Sequence, residues 1–362
     1  MGMDSPSREG EVIAGGRYKL QRALGRGTFG DVYLAQSTNP VATGGQGEVV
    51  IKILHAQWAQ VPEVIERFRR ESIVTQKIDH PHVAKTFEYA ELDDGVPCIA
   101  MEYLPGKTLR EKMDQTRIGP QVATKILIDI CDALAAAHRA GVVHRDLKPD
   151  NIQIVERDGN AFYPVVLDFG VAKFLDAAEK LTMTGALLGT PIYMSPEQFR
   201  GESNLGPPSD VYALGVLAYE MFAGRPPFTG QTFAELAIAH TAKQPSALPG
   251  GPQPISDLLL RCLDKEPNKR PKAESIAQNL RAIEAGLPPG ELVTEGDIDP
   301  YAATGGVSVA MAETIRASAP PSRPAAPATL AVRTPMRSTL LLAVVVFVLT
   351  SALGLAVYFL LL

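Results

Sequence analysis

The chain is short of cysteine, of net charge and of repetition. Its three cysteines, Cys98, Cys131 and Cys262, are scattered and odd in number. That pattern suits a reducing cytosol and offers no metal-ligand spacing. A formal net charge of −5 over 362 residues supplies no basic surface, so no nucleic-acid partner is expected. Residues 1–12 are polar and charged, and no cleavable secretory signal is visible among them. No internal repeat is apparent. Large apolar side chains are scarce between residues 291 and 338, where Ala, Pro, Ser and Thr dominate. A segment of that composition is read as a flexible linker, with an r.m.s. span of roughly 40 Å.

Charge is also missing from residues 340–362, a run dominated by Leu, Val and Ala. As a helix it spans roughly 35 Å, enough to cross a hydrocarbon core of about 30 Å. Arg333 and Arg337 flank it on the N-terminal side and nothing basic follows. The positive-inside rule then keeps the preceding part of the chain in the cytoplasm. The expectation is a single-pass anchor in the cell membrane that contacts the lipid bilayer and leaves no room for an external sensor domain.

Short apolar or alternating runs at 18–25, 30–36, 47–54 and 97–103, bounded by Gly, Pro and Asn, predict strands. A Gly-rich loop spans 39–47. One helix is expected over 61–78, with Pro62 in its first turn and Ile65 and Phe68 starting its apolar face. After Leu104 the pattern turns helical. Ile126, Leu127, Ile130 and Leu134 recur at helical spacing over 120–140, with Gly141 as the terminating residue. Ser209 and Asp210 are read as the cap of an apolar helix over 211–222, which Gly224 and Pro226 end.

Chemistry concentrates in His144-Arg145-Asp146-Leu147-Lys148-Pro149-Asp150-Asn151, followed by Asp168-Phe169-Gly170. This places a base, a phosphate-neutralising lysine and two metal-ligand candidates close together. Upstream, Gly25-Arg26-Gly27-Thr28-Phe29-Gly30-Asp31-Val32 has Gly-x-Gly-x-x-Gly spacing. That spacing alone is weak, because dinucleotide-binding folds share it. In those folds the third glycine opens a helix. Here Val32-Tyr33-Leu34-Ala35 continues as a strand, so the glycines belong to a hairpin whose backbone N–H groups can approach phosphates. Lys52 shares a strand face with Val50 and Leu54.

Together these motifs resemble the eukaryotic-type (Hanks-type) protein kinases, and most nearly the bacterial transmembrane serine/threonine kinases. The matches run from about residue 20 to 272. The resemblance implies an α+β, bilobal fold: a flexible N-terminus (1–16), a kinase domain (17–285) with a β-rich N-lobe (17–101) and a helical C-lobe (102–285), then the linker (286–338) and the transmembrane helix (339–362). It implies ATP as cofactor with Mg²⁺ (or Mn²⁺), and protein substrates. Asp146 would accept the substrate hydroxyl proton and Lys148 would neutralise the moving phosphoryl group. Asn151 and Asp168 would hold the metal, and Lys52, braced by Glu71, would pair with the α- and β-phosphates. Leu24, Gly25, Arg26, Gly27, Thr28, Phe29, Gly30, Val32, Met101 and Gln153 would complete the nucleotide site.

Gly189-Thr190-Pro191-Ile192-Tyr193-Met194-Ser195-Pro196-Glu197 resembles the end of an activation segment, with Arg270 as partner of Glu197. Asp210 matches the aspartate that braces the catalytic loop. The resemblance also implies that Arg145 binds an activation-loop phosphate, on Thr182 or Thr184. Arg67 and Lys173 are placed to complete the basic cluster, and anchoring, by raising local concentration, points to a homodimer for trans-autophosphorylation. Two positions depart from the family pattern: Val50 replaces the usual Ala, and Gln153 stands where a Leu or Met packs under the adenine, so its amide needs partners or water. A pseudokinase scaffold and a kinase of small molecules are the competing readings.

Overall fold

The computed structural model of the chain describes residues 8–27, 30–169 and 191–286, without the side chain of Glu71. Two sheets and a set of helices form two lobes. The N-lobe sheet contains β1 (Val12–Ile13), β2 (Tyr18–Arg26), β3 (Gly30–Ser37), β4 (Glu48–Leu54), β5 (Thr86–Glu91) and β6 (Pro97–Glu102). Their order is β1-β2-β3-β4-β6-β5, and all neighbours are antiparallel. Alternation along β3 and β4 decides which face is core. Tyr33, Ala35, Val49, Ile51 and Ile53 join Tyr18, Leu20 and Cys98 in one buried cluster. The opposite face carries Val32, Val50, Lys52 and Leu54, as period two requires. Helix α1 (Pro62–Thr75) covers the Leu54 end of that face with Val64 and Phe68.

The C-lobe begins with β7 (Lys107–Thr108), α2 (Leu109–Gln115) and α3 (Pro120–Arg139), then β8 (Ile152–Arg157) and β9 (Asn160–Val166). The strands form a second sheet in the order β7-β8-β9. Five helices follow: α4 (Pro196–Phe199), α5 (Pro207–Ala223), α6 (Phe233–Ala242), α7 (Gln253–Cys262) and α8 (Ala273–Glu284). Buried Ile126, Leu127, Ile130 and Leu134 set α3 into a core shared with α5 and α8. Helix α5 is buried nearly all round, from Ser209 to Tyr219, as an apolar helix without a polar face must be. Gly141, at φ 77°, follows the end of α3 in the left-handed region that glycine enters without steric cost.

Several expectations need correction. Helix α1 stops at Thr75 rather than 78. Helix α5 starts at Pro207 with Gly206 as its cap, so Ser209 and Asp210 lie inside its first turn and their side chains serve other partners. The 39–47 loop contains a 3-10 turn, Pro40–Thr43. Part of the N-terminus read as flexible is ordered: β1 pairs with β2, and Ile13 and Ala14 are buried. Strands β5, β7, β8 and β9 were not expected. Among the described residues no helix is long and apolar enough to cross a membrane. Residues 339–362, the linker, Thr182, Thr184 and Lys173 lie outside the described residues.

Candidate active site

The uncovered part of the N-lobe sheet faces the second sheet across a cleft. Val32 pairs with Lys52 between β3 and β4, and Val50 pairs with Met101 between β4 and β6. Val32, Val50 and Lys52 lie on the face opposite the N-lobe core, and Leu24 is exposed on β2. Lys52 is buried, and its Nζ donates to Asp168 Oδ2 across the lobes at 2.8 Å. At the hairpin, Gly27 N–H donates to Gly30 O at 2.8 Å. Arg26 Nε lies 3.4 Å and His55 Nε2 3.2 Å from Asp31 Oδ1. A Cβ on Gly30 would stand 2.2 Å from the Ile53 carbonyl oxygen, while one on Gly25 meets nothing within 4 Å. The third glycine therefore serves the close approach of β4, a role the phosphate-based reading did not contain. Thr28 and Phe29 lie outside the described residues.

The catalytic loop is held by its backbone. Asp210 is fully buried. Its Oδ2 accepts from the His144 N–H (2.8 Å) and lies 2.8 Å from His138 Nε2; its Oδ1 accepts from the Arg145 N–H at 2.7 Å. His144 donates from Nε2 to the Leu167 carbonyl at 2.8 Å, which leaves Nδ1 to accept from the Asp146 N–H at 3.3 Å. Its ring lies 4.8 Å from that of Phe169. Arg145 and Asp168 are two of four described non-glycine residues with positive φ, at 66° and 54°. Such strain persists only where surrounding bonds over-determine it.

These clamps bring four polar side chains together. Asp146 Oδ2 accepts from Lys148 Nζ at 2.9 Å and from Asn151 Nδ2 at 3.1 Å. Asn151 Nδ2 also donates to the Asp146 carbonyl at 2.7 Å, which leaves the amide oxygen as the end available to a hard cation. Burial raises the Asp168 carboxyl, but the charge and hydrogen bond of Lys52, helped by His144 and Lys148, outweigh it and hold the group below its ordinary value. A carboxylate kept ionised beside an amide oxygen is a donor set for Mg²⁺, which takes few protein ligands and completes its shell with water and phosphate. Among the described residues no group of three or more His, Cys, Asp or Glu is placed to hold a metal ion.

Gln153 answers the need its polarity created. Its Nε2 donates to the Leu104 carbonyl, in the segment joining the lobes, at 3.1 Å. Glu197 and Arg270 form a buried two-pronged pair, with Nη1–Oε1 at 2.7 Å and Nη2–Oε2 at 2.9 Å. Ser209 Oγ adds a bond to Glu197 Oε1 at 2.7 Å. Arg110 of α2 and Glu220 of α5 both bond Tyr193. Lys52 reaches Asp168, the residue expected to hold the metal, and its relation to Glu71 lies outside the described side chains. The sequence reading missed Leu104, His138 and Gln198. Only Gln198 carried a signal, the Ser-x-x-Gln spacing of a helix-opening box that begins at Ser195.

Residues 18–280 match the model of the protein kinase domain. The chain is 39% identical over 276 residues to the serine/threonine-protein kinase Pkn1 of Myxococcus xanthus, covering 75% of this chain and 38% of that one. It is 35% identical to the serine/threonine-protein kinase PkaA of Streptomyces coelicolor, covering 75% and 51%. The chain thus spans about half or less of these two relatives. The crystal structure of the Mycobacterium tuberculosis PknI kinase domain superposes with a TM-score of 0.58 at 26% identity, over 78% of this chain and 99% of that one. With the cleft, the clamped loop and the paired activation-segment glutamate in place, the chain belongs to the protein kinase family.

Proposed function

We propose that this chain is a serine/threonine protein kinase that transfers the γ-phosphoryl group of ATP to protein hydroxyls. The observation that carries the reading is the convergence of Asp146, Lys148, Asn151 and Asp168 on one edge of the cleft, opposite Lys52. Asp146 orients the acceptor hydroxyl and takes its proton, with Oδ2 already committed to Lys148 and Asn151. Lys148 balances the charge that moves with the phosphoryl group. Asn151 and Asp168 would hold Mg²⁺, whose charge would offset that of the triphosphate. With ATP bound, Lys52 would pair with its α- and β-phosphates. Val32, Val50, Leu24, Met101 and Gln153 would line the nucleotide site around the base.

The proposal extends to regulation and place. Phosphate on Thr182 or Thr184 orders the activation segment through Arg145 and its basic neighbours, residues 339–362 anchor the chain in the membrane, and neighbouring copies phosphorylate each other. What supports the anchor is the uncharged C-terminal run itself. The high local concentration of anchored domains favours transfer between copies.

Incorporation of labelled phosphate into a protein substrate tests the reading, with wild type beside Asp146→Asn. The expected result is a loss of roughly a thousandfold or more, the scale on which a positioned base and its orientation contribute. Equal incorporation by the two proteins defeats it and favours a scaffold role.

A further inference from the structure

We infer that Gln198 is a positioning residue for the catalytic loop, coupling the end of the activation segment to the orientation of Asp146. The inference rests on the kinase reading for its kinetic arm only.

The Arg145–Asp146 peptide sits between two residues of opposite demands. Arg145 is in the left-handed region at φ 66°, and Asp146 must present its carboxylate to a substrate hydroxyl. A strained peptide keeps its orientation only if both of its polar groups are held. The N–H is held from within the loop by His144 Nδ1 at 3.3 Å. The carbonyl is held from outside: Gln198 Nε2 donates to Arg145 O at 2.8 Å. The amide that makes this bond is itself fixed, because Gln198 Oε1 accepts from the Ser195 N–H at 2.9 Å. One planar group therefore spans two backbones, with its donor on the catalytic loop and its acceptor on the residue that opens α4.

The base of this bridge is rigid. Ser195 is fully buried, its Oγ accepts from the Gln198 N–H at 3.4 Å, and the next residue but one is Glu197, locked onto Arg270. Asp210 fixes the two peptide N–H groups before the strained link but comes from α5. Among the described residues, Gln198 is the side chain that reaches the loop backbone from the activation-segment side. A displacement of α4 is transmitted to Arg145 O, and the peptide that orients Asp146 turns with it.

Three variants of the full chain separate positioning from anchoring. Gln198→Leu keeps the bulk and removes both bonds. Gln198→Glu keeps the acceptor for Ser195 but sets a carboxylate against the Arg145 carbonyl, unless a proton restores a donor. Ser195→Ala removes the Oγ cap and leaves the amide bridge. The expected result for Gln198→Leu is a fall in kcat of roughly ten- to a hundredfold at unchanged KM for ATP. Gln198→Glu should show a similar fall, with its activity relative to wild type rising as pH is lowered. Ser195→Ala should lose thermal stability but keep kcat. Wild-type kcat in Gln198→Leu, or an equal kcat loss in Ser195→Ala, overturns the inference. Amide hydrogen exchange provides an arm independent of activity. The Asp146 N–H should exchange faster in Gln198→Leu and not in Ser195→Ala, and unchanged exchange in Gln198→Leu overturns the inference even in a chain that transfers no phosphate.

Discussion

Gln153 shows how much a single side chain can change in a site assembled from shared parts. An apolar residue beneath a nucleobase gives contact without desolvating a polar group. The glutamine's donor is satisfied by Leu104 O, but its carbonyl must give up water when a base covers it, at a cost on the order of 1 kcal/mol. Gln153→Leu is therefore expected to lower KM for ATP several-fold and leave kcat near wild type, which steady-state kinetics with varied ATP will read. A raised KM would mean that the tie to Leu104 matters more than the lost polarity. The sequence announced that this amide needed a partner. It did not name Leu104, because the bond joins residues distant along the chain.

At the scale of elements, what was legible followed from contiguity. The β2–β3 hairpin and the catalytic loop announce themselves within eight-residue windows. Helix α3 shows its apolar spacing, and the helix after Gly206 holds an apolar run from Val211 to Phe222 broken only by Glu220. Strands β5, β8 and β9 did not stand out. Thr86–Glu91 mixes polar and apolar residues on a largely half-exposed strand, and β8 needs β7 and β9 as partners to become a sheet. The start of α5, unlike its end at Gly224, differs for a related reason: Ser209 and Asp210 look like caps, but tertiary partners Glu197 and the catalytic loop claim their side chains. The glycine hairpin makes a prediction at this scale. Gly30→Ala must push β3 from β4, since the new Cβ would meet the Ile53 carbonyl, whereas Gly25→Ala meets open space. Thermal unfolding should show a loss of about 1–3 kcal/mol for Gly30→Ala and far less for Gly25→Ala. Equal losses would refute the strand-packing role.

For the whole domain, stability should depend on acidity through a buried histidine remote from the cleft. His240 on α6 is fully buried against the rings of Phe199, Tyr212 and Phe228. Its Nδ1 lies 3.0 Å from the Tyr212 hydroxyl, which Lys265 Nζ approaches at 3.3 Å. Burial first, and the Lys265 charge second, lower its pKa from 6.5 to about 3. Below about pH 6.5 the unfolded chain takes up a proton that the folded chain refuses, so stability is full above that pH and falls as pH drops toward 3. The slope is at most about 1.4 kcal/mol per pH unit from this group. Unfolding measured at pH 7 and pH 5 should show a smaller drop for His240→Phe than for wild type. An identical drop would assign the acid sensitivity elsewhere.

Phosphoryl transfer to serine and threonine by the His144–Asn151 loop is the central claim. The most direct test incubates the full chain with ATP, Mg²⁺ and a protein substrate, then maps phosphate by mass spectrometry for wild type and Asp146→Asn. The predicted result is phosphoserine or phosphothreonine on the substrate, and phosphate at Thr182 or Thr184 of the chain, with wild type and not with Asp146→Asn. The same phosphopeptides from both proteins, or none from wild type, would contradict it.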